Sequence, residues 1–95
     1  MGTLPVGLEG VRFISPRISK RGSVIADLEL ATTGGTFRIS ECRIAPDRYT
    51  GKLSARMPRL AVGNGTYVTA VSLPASWHTY VTEQARIAFA SEFER

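Results

Sequence analysis
A chain of 95 residues, 43% hydrophobic and 21% charged, has room for one soluble globular domain. It has no run near the ~18 apolar residues of a membrane span. One cysteine, Cys42, and one histidine, His78, exclude an internal disulfide and a Cys/His zinc site. The N-terminus has neither the basic start nor the apolar stretch of a secretory signal, which predicts a cytoplasmic protein. So small a domain would gain from dimerisation.

The formal net charge is +4, and arginine outnumbers lysine ten to two. Between Arg12 and Arg59 ten basic residues face four acidic ones; the rest of the chain has two basic and four acidic. Arginine is the better residue for bidentate phosphate contacts and for stacking on bases.

Residues 1–9 read as a loose N-terminal segment. Val11–Ser15 then alternates as a strand, which Pro16 is expected to end. Arg17–Gly22 is a basic loop. In Val24–Leu30 the residues Val24, Ala26, Leu28 and Leu30 point one way, Asp27 and Glu29 the other. Thr32-Thr33-Gly34-Gly35 is a turn, and Thr36–Ala45 pairs back as a hairpin. The apolar phase of that strand switches between Phe37/Ile39 and Cys42/Ile44. A bulge near Ser40–Glu41 would keep all four on the core face and Arg38 and Arg43 together opposite.

Pro46–Gly51 is a polar turn. Lys52–Met57 alternates again, with Leu53, Ala55 and Met57 inward and Arg56 outward, up to Pro58. Gly63-Asn64-Gly65 marks a hairpin between Leu60–Val62 and Tyr67–Leu73. From Pro74 the period becomes helical. Trp77, Tyr80, Val81, Ala85 and Ala88 form an apolar stripe over Ala75–Phe93, widened by Ile87 and Phe89, and Glu83 can pair with Arg86. The expected fold is α+β. A single antiparallel sheet of about five strands (10–73) has its apolar face covered by one C-terminal amphipathic helix (75–93), all within one domain, 1–95.

Signals for catalysis are poor. His78 beside Trp77 reads as packing or surface, and Cys42, on the presumed core side, as a small hydrophobe. Gly63-Asn64-Gly65 lacks the following helix of a phosphate loop. Asp27 and Glu29 lie beside basic strands, which favours ion pairs over acid–base work. The chain is read as a non-enzyme without cofactor or metal. An enzyme site around His78 and Tyr80 is the weakest alternative.

The basic residues offer more. Arg12, Arg38, Arg43 and Arg56 each lie opposite the apolar residues of their own strand. Neighbouring strands would gather them into one field on the helix-free face, with Arg17, Lys20, Arg21, Arg48, Lys52 and Arg59 around its edge. Such a surface attracts phosphates and releases their counterions. Tyr49 and Tyr67 are the two rings placed for base stacking; Trp77 reads as core.

The stretches Gly10-Val11-Arg12-Phe13, Val24–Leu30, Gly35–Ile44, Gly51-Lys52-Leu53-Ser54-Ala55-Arg56-Met57-Pro58, Gly65-Thr66-Tyr67 and Ser72-Leu73-Pro74 before an Ala-rich helix resemble the stage V sporulation protein G (SpoVG) family over about residues 10–90. Arg56 interrupts the family's Ala-Met step. After Met-Pro the family tends to be basic; here Arg59 keeps the charge while Leu60, Ala61 and Val62 do not, which suits a partner surface better. The resemblance implies a small α+β homodimer, joined by pairing of exposed strands, that binds DNA and RNA in bacterial gene regulation. A weaker likeness, through Val71-Ser72-Leu73 before Trp77, is to the positive-cofactor-four group of single-stranded-DNA-binding coactivators. The nucleic-acid-binding set is then Arg12, Arg17, Lys20, Arg21, Arg38, Arg43, Arg56 and Arg59. The competing reading is a small homodimeric adaptor whose basic face meets an acidic protein.

Overall fold
A computed structural model of the chain describes residues 4–63, 66–69 and 71–93. Its architecture is α+β. Strands β1 (Leu8–Ile18), β2 (Val24–Thr32), β3 (Gly35–Pro46) and β4 (Leu53–Arg56) form one antiparallel sheet in the order β1-β2-β3-β4, and helix α1 spans Ala75–Phe93. A further pair, β5 (Arg59–Gly63) and β6 (Thr66–Thr69), makes a separate two-stranded ribbon. The expected sheet of about five strands is thus a sheet of four plus a ribbon. Pro58, which cannot donate to a ladder, ends the pairing after β4. The Asn64-Gly65 turn expected between β5 and β6 lies outside the described residues. Among those described, no helix is long and apolar enough to cross a membrane.

Alternation decides which way the sheet faces. Val24, Ala26, Leu28 and Leu30 of β2 are buried, as are Cys42 and Ile44 of β3, and they pack with Val81, Ala85 and Phe89 of α1. Full burial of each large side chain contributes roughly 1.5–3 kcal/mol. The phase change in β3 is resolved as the pattern requires. Ala26 pairs with Cys42 and Leu28 with Ile39, so Ser40 and Glu41 together oppose Asp27 in a bulge. Glu41 adopts φ 59°, and its amide donates to Asp27 Oδ1 at 3.2 Å, which offsets part of the strain.

Pro16 does not end β1. The strand runs on to Ile18 through a second bulge, where Ser15 (φ 52°) and Pro16 fall between the pairs Ile14↔Asp27 and Arg17↔Ile25. An edge strand tolerates this, because its outward amide has no partner to lose. Leu8 and Glu9, expected in a loose leader, belong to β1, and the approach to it is tied down. The Trp77 indole Nε1 donates to the Val6 carbonyl at 2.9 Å, and a Cβ on Gly7 (φ +85°) would sit 3.2 Å from the Trp77 ring.

Four of the five expected stripe residues pack inward, Trp77 and Tyr80 against the core cluster and Val81 and Ala85 within it, and the departures are Ala88 and Ile87. Val81, Thr82, Ala85 and Phe89 face the sheet, while Ile87 is 74% exposed and Ala88 is also exposed. A second row, His78, Thr82 and Arg86, meets the edge of β4. His78 Nε2 lies 2.9 Å from the Ala55 carbonyl, the Ala55 amide donates to Thr82 Oγ1 at 3.4 Å, and Arg86 Nε donates to the Leu53 carbonyl at 2.8 Å. Arg86 therefore satisfies the sheet rather than Glu83, and the edge is closed to another strand. Phe37 shares the core face but is 57% exposed: β4 reaches only Arg43–Pro46, and α1 lies over β4 rather than over the first half of β3.

Candidate functional site
The face turned away from α1 collects the strand arginines. Antiparallel register puts directly opposed residues on one face. Arg12 opposes Glu29, which opposes Arg38; Arg17 opposes Ile25, which opposes Arg43, which opposes Arg56. Two cross-strand rows on one face thus contain Arg12, Arg38, Arg17, Arg43 and Arg56. Lys20 and Arg21 are exposed in the β1–β2 loop, which is closed by Ser19 N to Ser23 O (2.8 Å) and Gly22 N to Ser19 O (3.0 Å). Arg59 begins β5, and its side chain, like that of Tyr67, lies outside the described residues.

The face is not uniformly cationic. Arg38 Nη2 donates to Asp27 Oδ2 at 3.0 Å; Arg12 lies 3.5 Å from Glu29, and Arg17 lies 3.8 Å from Glu41. Exposed pairs of this kind are weak and screened by salt, so the two longer ones yield readily to a competing anion. Arg43 and Arg56 differ: among the described residues neither has a carboxylate within ion-pair distance. Like charges set directly across a ladder repel, and an anion held between them would relieve that repulsion.

Asp27 joins the bulge to the charge balance. The Glu41 amide, and then the Arg38 guanidinium, hold its carboxyl below the ordinary value of 3.8. A carboxyl depressed in the folded state stabilises above its unfolded value, and that contribution fades as pH falls through the folded value. Asp27→Asn keeps an oxygen for the Glu41 amide but loses the charge. The stability gap between wild type and Asp27→Asn should be full well above pH 3.8 and close on further acidification, as read by denaturant unfolding across pH. With Arg38 released, binding of any polyanion to this face should strengthen.

Two hollows meet at the Arg43/Arg56 pair. Arg21, Ile25, Glu41, Met57 and Pro58 line one; Ser23, Asp47, Arg48 and Tyr49 line the other. Arg48, expected at the edge of the arginine field, and Tyr49, expected as a stacking ring, both line the second hollow, although neither was in the nucleic-acid-binding set. The polar turn expected over Pro46–Gly51 brings them there, because Asp47-Arg48-Tyr49-Thr50-Gly51 turns the chain back onto its own strands.

Elsewhere the chemistry is quiet. Cys42 is fully buried, and desolvation pushes its thiol up to about 11. His78 is occupied by the β4 edge. Among the described residues no group of three or more His, Cys, Asp or Glu could hold a metal ion. Compared with known proteins, the chain matches no family model, no curated protein and no solved structure.

Proposed function
We propose that the protein is a nucleic-acid-binding regulator of SpoVG type that grips phosphates with the helix-free face of its sheet. The observation that carries this reading is the Arg43–Arg56 pair, opposed across β3 and β4 with no described carboxylate partner, in line with Arg17 and beside the Arg12/Arg38 row. The resemblance over residues 10–90 supports the same class. Regulation in the bacterial cytoplasm, binding to DNA and RNA, and homodimerisation come from that resemblance. A strand-paired dimer would use the outer edge of β1 or the first half of β3, because His78, Thr82 and Arg86 occupy the edge of β4. The reading involves no cofactor and no catalysis.

Filter binding of DNA and RNA oligonucleotides at rising salt tests it. Six phosphate contacts lower affinity about 10³-fold between about 50 and 200 mM salt. Absence of binding at the lower salt overturns the reading and leaves the adaptor, whose basic face would engage an acidic protein.

A further inference from the structure
We propose that the hollow between Arg43, Arg48, Arg56 and Tyr49 seats one unpaired nucleotide, its base stacked on the Tyr49 ring and its phosphate held by the arginines. This rests on the nucleic-acid reading and narrows its ligand to single strands.

The ring is presented, not merely loose. Asp47 Oδ1 accepts the amides of Tyr49 (2.7 Å) and Thr50 (3.1 Å). The Asp47 amide donates to the Lys52 carbonyl at 2.7 Å, and the Gly51 amide to the Asp47 carbonyl at 2.8 Å, with Gly51 at φ +73°. With the Lys52 amide donating to Thr50 Oγ1 at 3.3 Å, five hydrogen bonds over six residues hold the turn between β3 and β4, yet Tyr49 is 89% exposed. An aromatic residue in water, in a hollow that three arginines also line, matches a ligand with a flat π-face next to an anion. A nucleotide in a single strand offers both. In a duplex the base faces are buried in the stack, and readout requires an element that projects into a groove; the Arg43/Arg56 surface is concave instead. Asp47 also lines this hollow. One of its oxygens is taken by the two amides, so the phosphate belongs at the arginine side of the hollow.

The test uses the whole chain and three probes: oligothymidylate of about 12 nucleotides, an abasic phosphodiester strand of equal length, and a duplex of equal length. Wild type should bind oligothymidylate more tightly than either other probe. Tyr49→Ala should weaken oligothymidylate binding about tenfold or more, the size of one lost base stack, and leave the abasic strand and the duplex unchanged. Tyr49→Phe keeps the ring and should behave as wild type. Loss of affinity for all three probes alike, no change with oligothymidylate, or a wild-type preference for duplex overturns the seat while the phosphate-binding face stands. If wild type binds none of the probes, the nucleic-acid reading itself falls, and the seat with it.

Discussion
Replacing Arg43 and Arg56 together by glutamate is expected to abolish binding of oligonucleotides while leaving the fold intact. The two side chains face each other across β3 and β4 and reach both hollows on the arginine face. A hydrogen bond to a charged group contributes about 1.5–3 kcal/mol, so two lost phosphate contacts weaken binding roughly a hundredfold or more, before the repulsion added by two new carboxylates. Loss of two contacts should also flatten the slope of log K against log salt by about 2. Both positions are exposed, so secondary structure and cooperative unfolding should be retained. The single change Arg43→Glu sharpens the case. It converts an opposed like-charge pair into an opposite-charge pair, which should raise stability by about 0.2–1 kcal/mol even as affinity falls. Unchanged nucleic-acid affinity in the double variant would sink the assignment of this face. The matching double change at Arg12 and Arg38, which already lean on Glu29 and Asp27, should cost less.

Four of the five arginines in the two rows follow from a period of two, which is why most of the face was legible in the residues alone; Arg17, read as part of a loop, joins its row only because β1 runs on past Pro16. Arg12, Arg38, Arg43 and Arg56 each sit out of phase with their apolar neighbours, and the switch of phase between Ile39 and Cys42 called for the bulge that Ser40 and Glu41 supply. The class of fold and the helix bounds were legible for the same reason: one apolar face needs one cover. What local pattern could not carry was partnership. Pro16 looks like a stop until β1 is known to be an edge, where its missing amide costs no ladder bond. The division of strands into a sheet of four and a ribbon depends on who pairs with whom across Pro58. Nor could the charge count show that Asp27 and Glu29 draw on Arg38 and Arg12 but not on Arg43, since that depends on cross-strand register. Arg48 and Tyr49 were legible as an edge cation and a stacking ring, but that they share one hollow with Arg43 and Arg56 depends on how the Asp47 turn folds.

The helix stripe gives the other large expected effect, one of stability. A 3.6-residue period drawn through Trp77, Tyr80, Val81, Ala85 and Ala88, with Ile87 and Phe89 at its margins, does not say where the sheet ends. The four-stranded sheet selects Val81, Ala85 and Phe89, and Phe89 meets Phe13 of β1 edge to face, with ring centroids 5.2 Å apart at 72°. Phe89→Ala therefore removes both a buried ring and its aromatic partner's contact. The expected loss is about 3–5 kcal/mol, against a total of about 5–15 kcal/mol for a domain of ordinary stability. At about 4–8 °C per kcal/mol for a chain of this size, thermal unfolding should shift down by roughly 12 °C or more. Ile87→Ala, two residues away and also apolar, should stay within about 0.5 kcal/mol of wild type, because its side chain already meets water. A larger loss at Ile87 than at Phe89 would mean that the helix is rotated about its axis, with Ile87 rather than Phe89 turned toward the sheet. The closure of the β4 edge by His78, Thr82 and Arg86 would then fail as well, since those three side chains reach it only from the present rotation.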